Sequence, residues 1–288
     1  MINVKNKCLL GNRVRWLVSV SRRTRRGKTP KPKRKLNRQV YGLILITLCI
    51  LVLAYFLWPR AAPIPVNKGV TLVDLFYSSS PRFTDDITAF LDAKDITTNT
   101  FKDANITVDF YRQLPQYGYS LIVLRVHAGV LESDPDKPTF LFTEEPYNTY
   151  EYLVEQLSEQ VQSGKINPDN PQEAPVFTVG PLFVRSMNGH FNDSIVILSS
   201  CLGLYTNELA RAFIDQGAKA FISWDEKVGL AHTDEACMVL LHSLIEEELT
   251  ISEAVDKVMI DVGPDMAYNS VLCFYPQEAG NVKLVNLR

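Results

Sequence analysis

Two side chains able to form a thiol nucleophile and its base stand at matching places in the chain. His127 follows directly on an apolar run, residues 121–126 (Leu-Ile-Val-Leu-Arg-Val), within His127-Ala128-Gly129. Cys201 follows directly on residues 195–199 (Ile-Val-Ile-Leu-Ser), within Ser200-Cys201-Leu202-Gly203. Short, nearly continuous apolar runs of this kind predict strands covered on both faces. In an open parallel sheet, functional groups collect beyond the carboxyl ends of the strands. If these two strands are neighbours, an imidazole and a thiol face each other across the top of the sheet. The imidazole then takes the thiol proton or stabilises the thiolate, and backbone N–H groups near the cysteine hold a developing oxyanion. Gly129 and Gly203 let the chain turn sharply and approach a substrate closely.

A second histidine competes for the role of base. His232, with Asp234 beside it, lies after the strand expected to end at Trp224 and just before a helix. An amidase of the amidotransferase or hydrolase type places its histidine after the nucleophile, with the nucleophile on a sharp strand-to-helix elbow. Ser199-x-Cys201-x-Gly203 carries that elbow without its first glycine. Asp225 and Glu226 follow the same strand and could line a specificity pocket, where an acidic wall favours Arg or Lys beside the cleaved bond. Their other reading is a solvated turn. His242, in a helix among Leu240, Leu241 and Leu244, reads as structural, Cys237 and Cys273, in apolar stretches, read as core, and His190 lies in a Gly-rich turn with no evident partner.

Cys201, Cys237 and Cys273 are irregularly spaced and are no disulfide framework, although one pair could form. No Cys or His pair has zinc-site spacing and no Gly-rich phosphate loop precedes a helix, so neither a metal nor a nucleotide cofactor is expected. Asn105-Ile106-Thr107 and Asn192-Asp193-Ser194 match the glycosylation pattern, the second abutting the strand that leads to Cys201.

The elements that must position these groups alternate in type. Strands are predicted at 71–77, 106–111, 121–126, 139–143, 195–199, 219–224, 271–275 and 282–287. Helices are predicted at 84–93 with Thr84 as cap, 149–162, 206–216 ending at Gly217, 233–247 and 251–260. Thr250 and Glu253 form a capping box at the start of the last helix. Residues 163–175, rich in Gly, Asn, Asp and Pro, read as an exposed loop. This alternation predicts an α/β fold, a mainly parallel sheet with helices on both faces, spanning residues 70–288.

The charge distribution splits the chain. Residues 1–39 carry 14 of the 30 Lys and Arg and no Asp or Glu, which leaves 16 basic residues against all 32 acidic ones. Between these parts, residues 41–58 form an 18-residue run without a charge. As a helix it would be about 27 Å long, close to the roughly 30 Å of a bilayer's hydrocarbon core. It has no polar stripe, and Tyr41 and Trp58 stand at its ends where aromatic rings favour the interface.

A basic cytoplasmic tail (1–39), a transmembrane helix (40–58), a Pro-rich linker (59–69) and an extracytoplasmic domain (70–288) are therefore expected at the cell membrane, single-pass, with the lysine and arginine excess inside. A cleaved signal peptide would use Ala61-Ala62, but the basic region is long for one, and Pro59 and Arg60 sit badly before that site. The tail's expected partner is anionic lipid. Nucleic-acid binding wants interleaved aromatics or a folded motif, and the tail offers only Trp16.

The block 195–224 (IVILSSCLGLYTNELARAFIDQGAKAFISW) resembles the core of the caspase-like cysteine peptidase superfamily, most nearly its CHAT, clostripain and gingipain branches. The carriers are an apolar strand, Cys followed shortly by Gly, a helix with an Ala-Arg-Ala-Phe face, then Gly-Ala and a strand ending near Trp. A helix with Glu253-Ala254 extends the likeness. The resemblance implies a caspase-like fold over roughly 70–260 and a peptidase dyad of Cys201 as nucleophile and His127 as base. It further implies that the amides of Ala128 and Cys201 form the oxyanion hole. The family usually has Gly directly after its histidine, where this chain has Ala128, and several of its branches have lost activity. A non-catalytic binding or sensor module of the same fold therefore stands as an alternative to a peptidase acting on peptide or protein substrates, as does the amidase using Cys201 and His232.

Overall fold

The computed structural model describes residues 44–49 and 69–288, apart from 132, 135, 168, 285, 286 and 288. Contacts divide the chain into a unit ending at Arg60 and one beginning at Ala61. In the first unit, residues 44–49 are helical and Ile44, Leu45, Ile46 and Leu48 are exposed. The remainder of the span expected at 40–58 lies outside the described residues, as do the basic tail and residues 59–68 of the linker. Among the described residues no helix is long and apolar enough to cross a membrane.

The second unit is an α/β structure built on a six-stranded sheet. Its strands are β1 (Val70–Asp74), β2 (Thr98–Lys102), β3 (Leu121–Arg125), β8 (Ile195–Leu198), β9 (Ala220–Trp224) and β10 (Leu272–Tyr275), in the order β2-β1-β3-β8-β9-β10. All pairs are parallel except β9 with β10. Side chains alternate between two cores, as a pleated strand dictates. Ile122, Leu124, Val196 and Leu198 point to one, and Leu121, Val123, Ile195 and Ile197 to the other. The first core is closed by α2 (Val108–Gln113), α4 (Pro181–Ser186) and α5 (Glu208–Asp215), the second by α1 (Arg82–Asp92), α6 (Leu230–Ile245) and α7 (Ile251–Asp261). The expectation of helices on both faces holds.

The long segment between β3 and β8 folds over the sheet's upper edge. It forms a second, antiparallel sheet of β4 (Ala128–Val130), β5 (Thr139–Pro146), β6 (Val161–Gly164) and β7 (Val176–Val179), ordered β4-β5-β7-β6. Leu141, Phe177 and Val179 pack into the first core, while Phe140, Phe142 and Thr178 face the opposite way.

Several local expectations need correction. Residues 106–111 are not a strand: Thr107 adopts an extended backbone, its side chain accepts the Phe110 amide, and α2 begins behind it. The N-cap decides there, over an apolar pattern that fits either periodicity. The strand beside β1 is instead Thr98–Lys102, a half-buried edge strand without an apolar run. Thr84 lies inside α1, and its hydroxyl is turned onto Asp74. The helix expected over 149–162 shrinks to α3 (Leu153–Leu157), between left-handed Tyr152 and Glu159, because Val161 leaves for β6 and is buried there. At 282–287 the described residues show a single bridge, Lys283 to Thr250. The capping box of Thr250 and Glu253 and the left-handed Gly217 stand as expected.

The turn after β8 lies flat on β9, and this requires Gly203. A Cβ there would come within 2.1 Å of Ser223 Oγ and 2.7 Å of Leu198 Cδ2. Gly203→Ala should therefore destabilise the domain by about 1–3 kcal/mol through overpacking, measured as a lowered urea midpoint with unchanged slope.

Candidate active site

β3 and β8 are hydrogen-bonded neighbours, Leu124 beside Leu198, so His127 and Cys201 leave the sheet side by side. Both line one cavity of about 530 Å³. Phe140, Phe142 and Thr178 of the second sheet form its floor, and the sheet's two edges, β4 and β6, both border it. Glycine makes that curvature feasible: a Cβ on Gly164 would meet Thr178 at 2.4 Å and the Phe142 ring at 2.9 Å.

The main chain at His127 is fixed by β5, since the Phe142 amide donates to the His127 carbonyl at 2.9 Å. With Ala128 opposite Leu141, that bond makes the pair a non-hydrogen-bonded one. The Ala128 N–H therefore points away from β5, unused by the ladder. At Cys201 the chain is pinned one residue later. Leu202 holds a left-handed φ of 60°, its amide donates to the Glu226 carbonyl (3.0 Å) and its carbonyl accepts the Thr139 hydroxyl (2.7 Å). A non-glycine residue in this region carries strain that surrounding bonds must hold. The Cys201 amide meets no acceptor among the described residues. Two adjacent strand ends thus present two uncommitted N–H groups.

The sulfur is half-buried and lies against the main chain of Val228. It accepts the Val228 amide at 3.4 Å, and the thiol is directed to the Val228 carbonyl at 3.5 Å. No hydrogen bond joins it to the His127 imidazole. That ring stands edge-on to Phe76 (4.4 Å between centroids) and edge-on to Phe142 at 6.1 Å. Burial pushes its pKa below the ordinary 6.5, partly opposed by the charge of Glu173. The imidazole is therefore neutral at pH 7, the state a base requires.

Two residues before His127, Arg125 is wholly buried. Its Nη1 donates to Asp74 at 2.9 Å, and its Nε and Nη2 grip both oxygens of Asp234 at 2.7 Å each. Ser80 supplies a carbonyl and a hydroxyl at 3.2 Å. The guanidinium also lies 5.2 Å from the Phe76 ring and 4.7 Å from that of Phe83. Asp234 thus serves the strand before His127. His232 does not line the cavity: its Nε2 bonds the Gly263 carbonyl at 3.1 Å and its ring lies 5.3 Å from Trp224. Asp225 and Glu226 are not on the cavity wall either. Asp225 accepts the Val271 amide at 2.7 Å, and Glu226 accepts the amide of Lys227 at 3.0 Å. The charged residues on the wall are Lys165 and Lys227, which sequence reading passed over.

The remaining candidates lie elsewhere. Cys237 is buried among the second core's side chains, its thiol pushed up to about 12 by that burial. Cys201, Cys237 and Cys273 are all free thiols. His242 pairs with Glu246 at 3.0 Å on the surface of α6. Among the described residues no cluster of three or more His, Cys, Asp or Glu could hold a metal ion. Phe76 and the partners of Arg125 were missed in the sequence, although a charged residue in a buried strand does announce that partners must exist.

In comparison with known proteins, no family model matches the chain and no curated protein matches its sequence.

Two outcomes are expected of this geometry. Arg125→Leu leaves Asp74 buried without its cation and should cost about 3–5 kcal/mol in chemical denaturation, whereas Arg82→Ala, at an exposed pair with Asp86, should leave the midpoint in place. Phe76→Ala admits water to His127, and NMR titration should show its pKa rising toward 6.5. Because the unfolded chain takes up that proton first, the native protein loses stability as pH falls through 6.5 down to the folded-state pKa. The loss should be smaller in Phe76→Ala.

Proposed function

We propose that this chain is a membrane-anchored, caspase-like cysteine peptidase that hydrolyses peptide bonds with Cys201 as nucleophile and His127 as base. The observation that carries the reading is the placement of a half-buried thiol and a neutral imidazole on one cavity, at the ends of adjacent parallel strands, with two uncommitted amides beside them. The pattern at 195–224 adds the family likeness. The uncharged run at 41–58 and the basic residues before it support the anchor, with the domain outside the cytoplasm.

In this reading the substrate carbonyl enters between thiol and imidazole. His127 removes the Cys201 proton, the sulfur adds to the carbonyl carbon, and the oxyanion is met by the amides of Ala128 and Cys201. Collapse breaks the C–N bond, and the imidazolium gives its proton to the leaving amine. Water, deprotonated by His127, then attacks the thioester. This releases the carboxylic acid and returns the thiol. Catalytic hydrogen bonds tighten in the complex with substrate, and the sulfur's bond to Val228 must open before the first step.

That same bond favours a second reading. A sulfur held by Val228 rather than by the imidazole suits a binding module of the same fold that performs no hydrolysis.

Peptide cleavage by purified protein distinguishes them. The peptidase reading expects turnover that is abolished in Cys201→Ala, reduced about 10²–10⁴-fold in His127→Ala and largely kept in His232→Ala. The rate should fall on the acid side with a midpoint below 6.5, as His127 becomes protonated. Full cleavage by Cys201→Ala would overturn the assignment. Full activity in His127→Ala with loss in His232→Ala would move it to the amidase arrangement.

A further inference from the structure

The short helix α3 (Leu153–Leu157) is built inside out. Its polar side chains turn to the protein. Glu155 pairs with Arg112 at 2.7 Å, while Gln156 accepts the Tyr147 hydroxyl at 2.8 Å and donates to the carbonyls of Asn148 (2.9 Å) and Glu151 (2.7 Å). Tyr152, just before the helix, lies edge-on to Phe177 at 5.1 Å. The apolar side chains turn outward instead: Leu153 is 52%, Val154 73% and Leu157 79% exposed, and Tyr150 close by in sequence is 77% exposed. Leu157 lies one turn from both Leu153 and Val154, so the three form one face. A surface helix ordinarily has the reverse arrangement. Single exposed apolar residues need no explanation, but a contiguous apolar face marks a surface that meets something.

The main chain around this face is satisfied without water. Asn148 Oδ1 accepts the amides of Tyr150 (3.2 Å) and Glu151 (2.8 Å). The Tyr152 carbonyl takes the Gln156 amide at 2.8 Å, and that of Val154 takes both the amide (3.0 Å) and the hydroxyl (2.8 Å) of Ser158. The Glu155 carbonyl takes the Gln160 amide at 2.9 Å, and that of Gln156 the Glu159 amide at 3.2 Å. The end of a surface helix commonly leaves such carbonyls to solvent. An element that meets lipid has to satisfy them internally.

Charge and reach decide what meets this face. Residues 139–164 contain no Lys or Arg, and Glu151 and Glu159 are exposed on either side of it in sequence, so an anionic lipid surface offers no attraction here. With the uncharged run at 41–58 as the anchor, an apolar phase is close at hand. Residues 59–68 alone separate that run from Gly69, and a stretch of this length reaches at most about 36 Å when fully extended. A compact domain of 69–288 has a radius of gyration of about 17 Å, so such a tether cannot carry it clear of the bilayer surface.

We propose that Leu153, Val154 and Leu157, with Tyr150, rest in the interfacial layer of the bilayer, on lipid without net charge. The proposal rests on the membrane-anchor part of the reading above and adds a second, shallow contact to it. Tyr150 suits such a layer, since an aromatic ring with a polar tip favours the boundary between headgroups and acyl chains. The same segment continues into β6, whose Gln162, Ser163 and Gly164 line the cavity with Cys201. The contact therefore holds that wall of the candidate site near the lipid surface.

The test places the photo-reactive residue p-benzoylphenylalanine at Leu157 of the full chain in phosphatidylcholine vesicles and identifies its adducts by mass spectrometry. The control places it at Ile260 of α7, which is equally exposed at 81% on a helix that closes the second core rather than the first. Lipid adducts are expected at Leu157 and not at Ile260. Adding Leu153→Glu/Val154→Glu should lower the Leu157 lipid adduct about 10-fold or more, the worth of one apolar side chain withdrawn from lipid, with circular dichroism unchanged. Equal lipid labelling at the two positions, adducts to a second copy of the chain in place of lipid, or no adduct at Leu157 overturns the proposal. Washing the vesicles with alkaline carbonate reads the anchor separately. A chain that stays but gives no lipid adduct keeps its anchor and loses this contact, whereas a chain that is washed off has no anchor, and the Leu157 adduct alone then decides the contact.

Discussion

Arg125 is the point at which the candidate site is tied to the fold. A guanidinium with no exposed surface must be surrounded by acceptors, because an isolated buried charge is too costly to keep. Its partners come from three elements: Asp74 at the end of β1, Ser80 in the turn before α1, and Asp234 on α6. Asp74 is itself occupied by the Thr84 hydroxyl and the Phe76 amide. The network therefore fixes where β1 ends, where α1 begins and how α6 lies across the sheet. Its cation also sits against the Phe76 ring, whose other contact is the imidazole of His127. Charge, aromatic ring and imidazole thus form a continuous packed series.

α6 reinforces this arrangement from the other side. Thr233 takes up the Trp224 indole N–H at 2.9 Å and lies 3.0 Å from the Ser199 hydroxyl, which joins the ends of β8 and β9. The neighbouring Asp234 holds β3. One helical turn thus aligns the three strand ends from which His127, Cys201 and the Lys227 segment emerge. The histidine on that turn, His232, is used up by the Gly263 carbonyl. Its sequence position resembled that of a catalytic base because the turn is close to the site, while its side chain serves the packing of the helix.

What could be read in the sequence follows from how locally each feature is determined. β3, β8 and β9 were legible because a strand buried on both faces must be apolar throughout, and their ends located His127 and Cys201. The capping box at Thr250 and the glycine after α5 are equally local. The second sheet was largely illegible. β6 is Val-Gln-Ser-Gly, with one buried apolar residue, and its strand conformation is imposed by pairing with β7. β2, Thr-Asn-Thr-Phe-Lys, is likewise a strand by virtue of its neighbour. As the cavity wall is made from that second sheet and the turn after β9, its charge could not be inferred from residues adjacent to Trp224. Asp225 and Glu226 were near in sequence, but their carboxylates turned to the backbone amides within reach.

The same pairing logic accounts for the long insertion between His127 and Cys201. A thiol and an imidazole at adjacent strand ends would be open to water above the sheet. Folding the intervening segment into a sheet whose edges, β4 and β6, both border the gap encloses it on an aromatic floor. The first residue pair of β4 leaves the Ala128 amide out of the ladder, and the Cys201 amide meets no acceptor among the described residues. β5 holds the chain at both places, through the Phe142 amide on the His127 carbonyl and the Thr139 hydroxyl on the Leu202 carbonyl. An alanine after the histidine is compatible with this, since the ladder, rather than glycine's conformational freedom, sets the direction of that N–H. The Cys201 sulfur rests on the main chain of Val228 within this frame.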